Sequence, residues 1–165
     1  SASSCYRDSS KSTLARAGII MYGLCPNYPI PIPDEFEPVM ALKAVISHVK
    51  TVKAGDTISY GRTFTADKDM RIATVTIGYA DGYSRLLSSK GEILVHGKRC
   101  RIVGRICMDQ LMIDVSDAEA EAGDIVTLIG RDGNDEITAD ELASLYGTIG
   151  YEVVCGISKR VPRIF

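Results

Sequence analysis

Apolar and polar residues alternate through Met40, Leu42, Ala44 and Ile46, the period of a strand with one buried face. Short runs rich in β-branched residues follow at Thr57 to Tyr60, Ile72 to Ile77, Ile93 to Val95, Ile102-Val103, Leu111 to Val115 and Ile125 to Ile129. Turn sequences separate them: Ala54-Gly55-Asp56, Asp81-Gly82, His96-Gly97-Lys98, Ala122-Gly123-Asp124 and Asp132-Gly133. Many short strands at close spacing predict a mainly β domain built as a sandwich or partly closed barrel. One helix is expected inside it, because Thr138 can cap a helix and Glu141 can complete a capping box before Leu142, Leu145 and Tyr146. The acidic run from Asp132 to Glu141 lacks the glycine and ligand spacing of a calcium loop, so it reads as a turn and a cap.

The first part of the chain follows another pattern. Between Ser12 and Leu24, the apolar residues Leu14, Ile19, Ile20, Met21 and Tyr22 make a run too short for a helix, and a buried strand with an exit turn is expected. Pro26, Pro29, Pro31, Pro33 and Pro38 are all but one of the chain's six prolines. They remove backbone donors, so this stretch should be an extended linker. The expected division is residues 1–24, a linker at 25–37, and a β-domain at 38–165.

Hydrophobic residues at 45% and charged residues at 24% are ordinary for a soluble globular chain of 165 residues. A net charge of -2 with scattered lysines and arginines gives no basic footprint for nucleic acid. No apolar run approaches the ~20 residues that span a bilayer. Five cysteines without a Cys-x-x-Cys pair, and only two histidines, assemble no zinc spacing and fit a reducing cytoplasm. A chain that starts at Ser1 is expected to be a processed, cloned or proteolysed fragment.

Six segments carry a resemblance. Leu14-Ala-Arg-Ala-Gly-Ile-Ile-Met-Tyr-Gly23, Ile58-Ser-Tyr-Gly61, Ile77-Gly-Tyr-Ala-Asp-Gly82, Val103-Gly-Arg-Ile-Cys-Met-Asp-Gln110, Gly150-Tyr-Glu152 and Lys159-Arg-Val-Pro-Arg163 resemble the alanine racemases in order and spacing. The resemblance implies a fragment of a fold-type III pyridoxal-phosphate enzyme, in which residues 1–24 end a (β/α)8 barrel and 38–165 form the carboxy-terminal β-domain. It further implies interconversion of L- and D-alanine by two bases in a cytoplasmic homodimer, supplying D-alanine for peptidoglycan. One base is a cofactor lysine in the amino-terminal barrel domain, which this chain lacks, so the isolated chain should be inactive. Two alternatives stay open: a racemase of serine or of broad specificity, and a non-catalytic β-domain used for protein association.

Tyr60 matches the second base, which reaches into the partner subunit's site. A free phenol titrates near ~10, so such a base works beside positive charge. Taken alone, a tyrosine ending a Thr-Ile-Ser-Tyr-Gly strand also reads as an edge or core aromatic, and Gly61 implies a turn that presents the ring. Arg16 matches the arginine facing the pyridine nitrogen; it can donate a hydrogen bond but not readily a proton, which weakens the electron sink. Ser1, the backbone of Gly18 and Ile19, and the Tyr151 hydroxyl are implied to cradle the phosphate. Tyr151 would also narrow the pocket towards alanine. The backbone at Met108 is implied to contact the substrate carboxylate, with Asp109 ordering its turn. Cys107 is assigned a place near the site as a small buried hydrophobe, without a nucleophilic role. Tyr79, Arg85, Arg105, Ile149 and Arg163 match residues along the substrate's path. Singly, each also has a plainer reading, a solvated arginine or a turn tyrosine.

Overall fold

The computed structural model describes residues 13–165 apart from 15, 27, 30, 31 and 34. Nine strands carry the fold: β1 (Leu42–Val52), β2 (Thr57–Ile58), β3 (Phe64–Thr65), β4 (Met70–Val75), β5 (Glu92–Val95), β6 (Lys98–Arg101), β7 (Leu111–Asp114), β8 (Ile125–Asp132) and β9 (Asp135–Ile137). Seven of them form one antiparallel sheet in the order β6-β5-β8-β1-β4-β7, with β9 added to β8; β2 and β3 pair separately. The sheet is not a closed ladder. Its two outer strands nevertheless meet at a single bridge between Ile102 and Ile113, so the mainly β, partly closed architecture expected from the sequence is the one observed.

The alternation at Leu42, Ala44 and Ile46 points inward as predicted, but β1 continues through a bulge between Ile46 and His48. The extra residue changes the phase, and Val49 takes up the inward position against the core. Strand β8 is buried on both faces from Val126 to Gly130. Two clusters of buried side chains result. The larger gathers Ile46, Val75, Leu94, Leu111, Leu128 and their neighbours around the sheet. A smaller one, Val52, Ile58, Ala66, Met70, Ile72 and Val103, lies under the β2–β3 hairpin.

Several expectations are corrected. The described residues between 14 and 24 form no strand: Gly18–Tyr22 is a 3-10 turn with only Ile20 buried and with Met21 and Tyr22 exposed. The run Thr57 to Tyr60 stops pairing at Ile58, so Tyr60 opens a 3-10 turn (Tyr60–Arg62) and does not end a strand. Ile102 makes only the isolated bridge, whereas β6, with Cys100 alone buried, was not expected. Thr138 does cap helix α1 (Ala139–Tyr146), accepting from the Glu141 N–H at 3.0 Å. The reciprocal half of the box is absent because the Glu141 carboxylate binds the Arg99 guanidinium instead. A second helix, α2 (Gly150–Gly156), follows, where one helix was expected. The run from Asp132 to Glu141 is the β8–β9 turn, β9 and the start of α1. The described residues between 25 and 37 contain no helix or strand.

Candidate active site

Three loops meet at one end of the sheet. The first is the β2–β3 connection bearing Tyr60, the second runs from Gly78 to Ser88 after β4, and the third is the turn from Val103 to Gln110 before β7. The second and third loops touch through their backbones. The N–H groups of Tyr79 and Ala80 donate to the carbonyls of Cys107 and Met108, each at 3.0 Å, and the Cys107 N–H donates to the Gln110 carbonyl at 2.9 Å. A side chain at Gly78 would place its Cβ 2.3 Å from both of those carbonyl oxygens, so only glycine permits the approach. Ser88 donates to the Arg85 carbonyl and accepts from the Ile106 N–H, fastening the Arg85 loop to the third loop.

The loops enclose an open cavity of about 600 Å³ lined by Tyr60, Tyr79, Arg85, Arg105, Cys107, Met108 and Asp109, together with Ile106 and Gln110. Seven residues singled out in the sequence thus come together. Tyr60 is 73% exposed. Gly61 after it has φ +74°, and the Arg105 guanidinium lies across Gly61, with Nη1 3.0 Å from where a Cβ would stand. Two tyrosines and two arginines therefore line one water-accessible space. The Met108 carbonyl is occupied, whereas its N–H donates to no acceptor among the described residues. Cys107 is buried, as its place as a small hydrophobe requires, with Sγ 3.6 Å from the Arg105 carbonyl.

Arg160 was not singled out in the sequence. Its Nη2 lies 2.7 Å from Asp109 and its Nε 3.4 Å from Asp81, while Asp81 accepts from the Gly78 N–H at 2.9 Å. One guanidinium therefore links the second and third loops, and the two carboxylates raise its already high pKa further. Asp109 ordering its turn is consistent with this pairing.

The other predicted site residues among those described do not line the Tyr60 cavity. Ile149 and Tyr151 line a smaller pocket of about 170 Å³ with Cys25, Tyr28 and Asp140. Asp140 accepts from the Cys25 N–H at 3.2 Å and from the Gly150 N–H, and burial raises its pKa. Ile19 and Arg163 border an apolar cavity of about 370 Å³. The Arg163 guanidinium donates to the carbonyls of Ile157, Ser158 and Val161. Arg16 is exposed, and Gly18 opens its 3-10 turn with φ +64° and no side-chain cap. Ser1 lies outside the described residues.

Residues 39–165 match the family described as the alanine racemase C-terminal domain. The chain is 50% identical over 153 residues to an alanine racemase of Desulfovibrio desulfuricans, covering 92% of this chain and 40% of that protein. It is also 50% identical over 157 residues to one of Cutibacterium acnes, at 94% and 42% coverage. Among solved structures, the alanine racemase of E. faecalis superposes with a TM-score of 0.91 at 42% identity, covering 99% of this chain and 44% of that one. The Bacillus anthracis alanine racemase with bound L-Ala-P gives 0.85 at 49% identity, with 90% and 38% covered. The chain spans about two fifths of the length of the curated relatives it matches.

Proposed function

Because the chain belongs to the alanine racemase C-terminal domain family, we propose that it is the carboxy-terminal part of a pyridoxal-phosphate-dependent enzyme that interconverts L- and D-alanine in the cytoplasm. The observation that carries this reading is the exposed Tyr60 phenol in one cavity with Arg85, Arg105 and Met108. When bound, pyridoxal phosphate draws electron density from the α-carbon of an amino acid and so makes its α-proton removable. Tyr60 takes or returns that proton at its phenol oxygen from one face, in the site of the neighbouring subunit of a homodimer. The opposite face is served by a lysine in the amino-terminal barrel domain. Arg85 and Arg105 line the substrate's path, and the Met108 N–H, which has no acceptor among the described residues, donates to the substrate carboxylate.

The cofactor-holding residues fit such a group in part. Amides at the start of an uncapped turn, at Gly18 and Ile19, suit a phosphate, and the Tyr151 hydroxyl is a further donor. By the resemblance Arg16 would donate to the pyridine nitrogen, and Ser1, outside the described residues, would add a hydroxyl for the phosphate. D-Alanine, the product, serves peptidoglycan synthesis.

The test is Tyr60→Phe in the intact enzyme. A general base contributes roughly 10²- to 10⁴-fold, so solvent deuterium exchange at the α-carbon of L-alanine should fall by that order while exchange from D-alanine persists. Mixing Tyr60→Phe chains with chains lacking the cofactor lysine should restore one active site per heterodimer. Equal loss of exchange from both isomers, or inactive mixed dimers that do assemble, would show that Tyr60 is not the second base across the interface.

A further inference from the structure

We propose that Ser59 is a positioning residue that sets the Tyr60 phenol relative to the Met108 turn; the proposal rests on the racemase reading above. Ser59 has φ +68° and ψ 174°, a backbone region that is essentially glycine's alone. Gly61 and Arg62, farther along the same turn, are also left-handed, at φ +74° and +52°. On the other side, Ile58 is fixed in the cluster under the hairpin.

Were a turn all that this position required, glycine would supply it at no steric cost. The side chain present instead is a hydroxyl with one strong contact: Ser59 Oγ donates to the Arg105 carbonyl at 2.7 Å, with Cys107 Sγ at 3.9 Å. Among the described residues, no other hydrogen bond joins residues 59–62 to the turn at 103–110. The turn is shaped to receive it. Gly104 has φ +74°, and a Cβ there would lie 2.7 Å from the Ser59 Cβ. Tyr60 and Met108 stand on separate loops, and Ser59 is the hydrogen-bonded link that fixes their spacing. Misplacing a reacting group by about 1 Å can cost of the order of 100-fold in rate.

The experiment compares Ser59→Ala and Ser59→Gly in the intact enzyme, beside Tyr60→Phe, by α-deuterium exchange from each alanine isomer. Both Ser59 variants lose the hydroxyl, and Ser59→Gly also lifts the backbone restriction, so it folds even if Ser59→Ala does not. The expected result is a loss of roughly 10- to 100-fold in exchange from L-alanine, with exchange from D-alanine within about two-fold of the parent. A merely structural role would lower both isomers alike. The proposal is overturned if both isomers fall equally, if neither falls, or if Ser59→Gly retains full L-exchange, while Tyr60→Phe shows its own asymmetry. If Tyr60→Phe shows none, the base assignment fails and the positioning role fails with it.

Discussion

Tyr83→Phe should stabilise the protein. Tyr83 is 2% exposed, within the larger core between Tyr79 and Arg85, and its hydroxyl has no hydrogen-bond partner among the described residues. An unsatisfied buried polar group costs about 1–3 kcal/mol. Removing only the oxygen leaves a void of ~10 Å³, which costs about 0.2 kcal/mol at the usual penalty for cavities. The expected gain is therefore about 1 kcal/mol, or about 2–4 °C in Tm for a chain of this size. Thermal and urea unfolding would measure it. Burial, with smaller contributions from Glu141 and Tyr146, raises the Tyr83 pKa far above that of a free phenol. The folded state therefore keeps this proton where the unfolded chain releases it, and stability falls with rising pH above about 10. Phenylalanine has no such proton, so its advantage should widen there. A loss of more than about 0.5 kcal/mol on substitution would mean that the hydroxyl is satisfied, and the reasoning would be wrong.

Arg160→Met should raise KM in the intact enzyme by roughly ten-fold with a smaller change in kcat, because it frees the Asp109 and Asp81 loops without touching the proton-transfer groups. Its exposed ion pairs contribute little to stability, and steady-state kinetics beside thermal unfolding would separate the two effects. Asp140→Asn should change the pH dependence of stability. Burial raises the Asp140 carboxyl, so its contribution is present below the unfolded value near ~4 and is lost as pH rises through the folded one. Urea unfolding from pH 4 to 7 should show the Asn variant gaining on the parent as pH increases.

The sheet was legible wherever one face of a strand is apolar. The alternation before Ile46 and the runs at Ile93, Leu111 and Ile125 all became strands. Strand β6 was not legible, because Lys98, Arg99 and Arg101 face outward and leave Cys100 as its only inward signal. The run at 14–24 was misread because hydrophobicity alone does not reveal that Met21 and Tyr22 remain exposed. Helix α2 has glycine at both ends and too few turns for a periodic signal. The cavity residues were identified through resemblance; their local sequence left each one ambiguous. Arg160 and Ser59 sat inside those same motifs and were missed for physical reasons. Arg160 acts through carboxylates 51 and 79 positions away in the chain, which no local pattern brings together. The importance of Ser59 lies in a backbone angle that the residue type argues against.

Three features of these loops share a character. Tyr60 is exposed, Ser59 is strained and the Met108 N–H has no acceptor among the described residues. Each is locally unfavourable, and each breaks a rule by which sequences are read. They are tolerated because the second and third loops are fastened to each other by backbone hydrogen bonds and by Arg160, the first is tied to the third by the Ser59 hydroxyl, and all three rest on two well-filled clusters. The glycines at 78 and 104 matter for the same reason. Each lets one loop approach another more closely than a Cβ would allow, and on the racemase reading proposed above the groups left open there are those a substrate would meet.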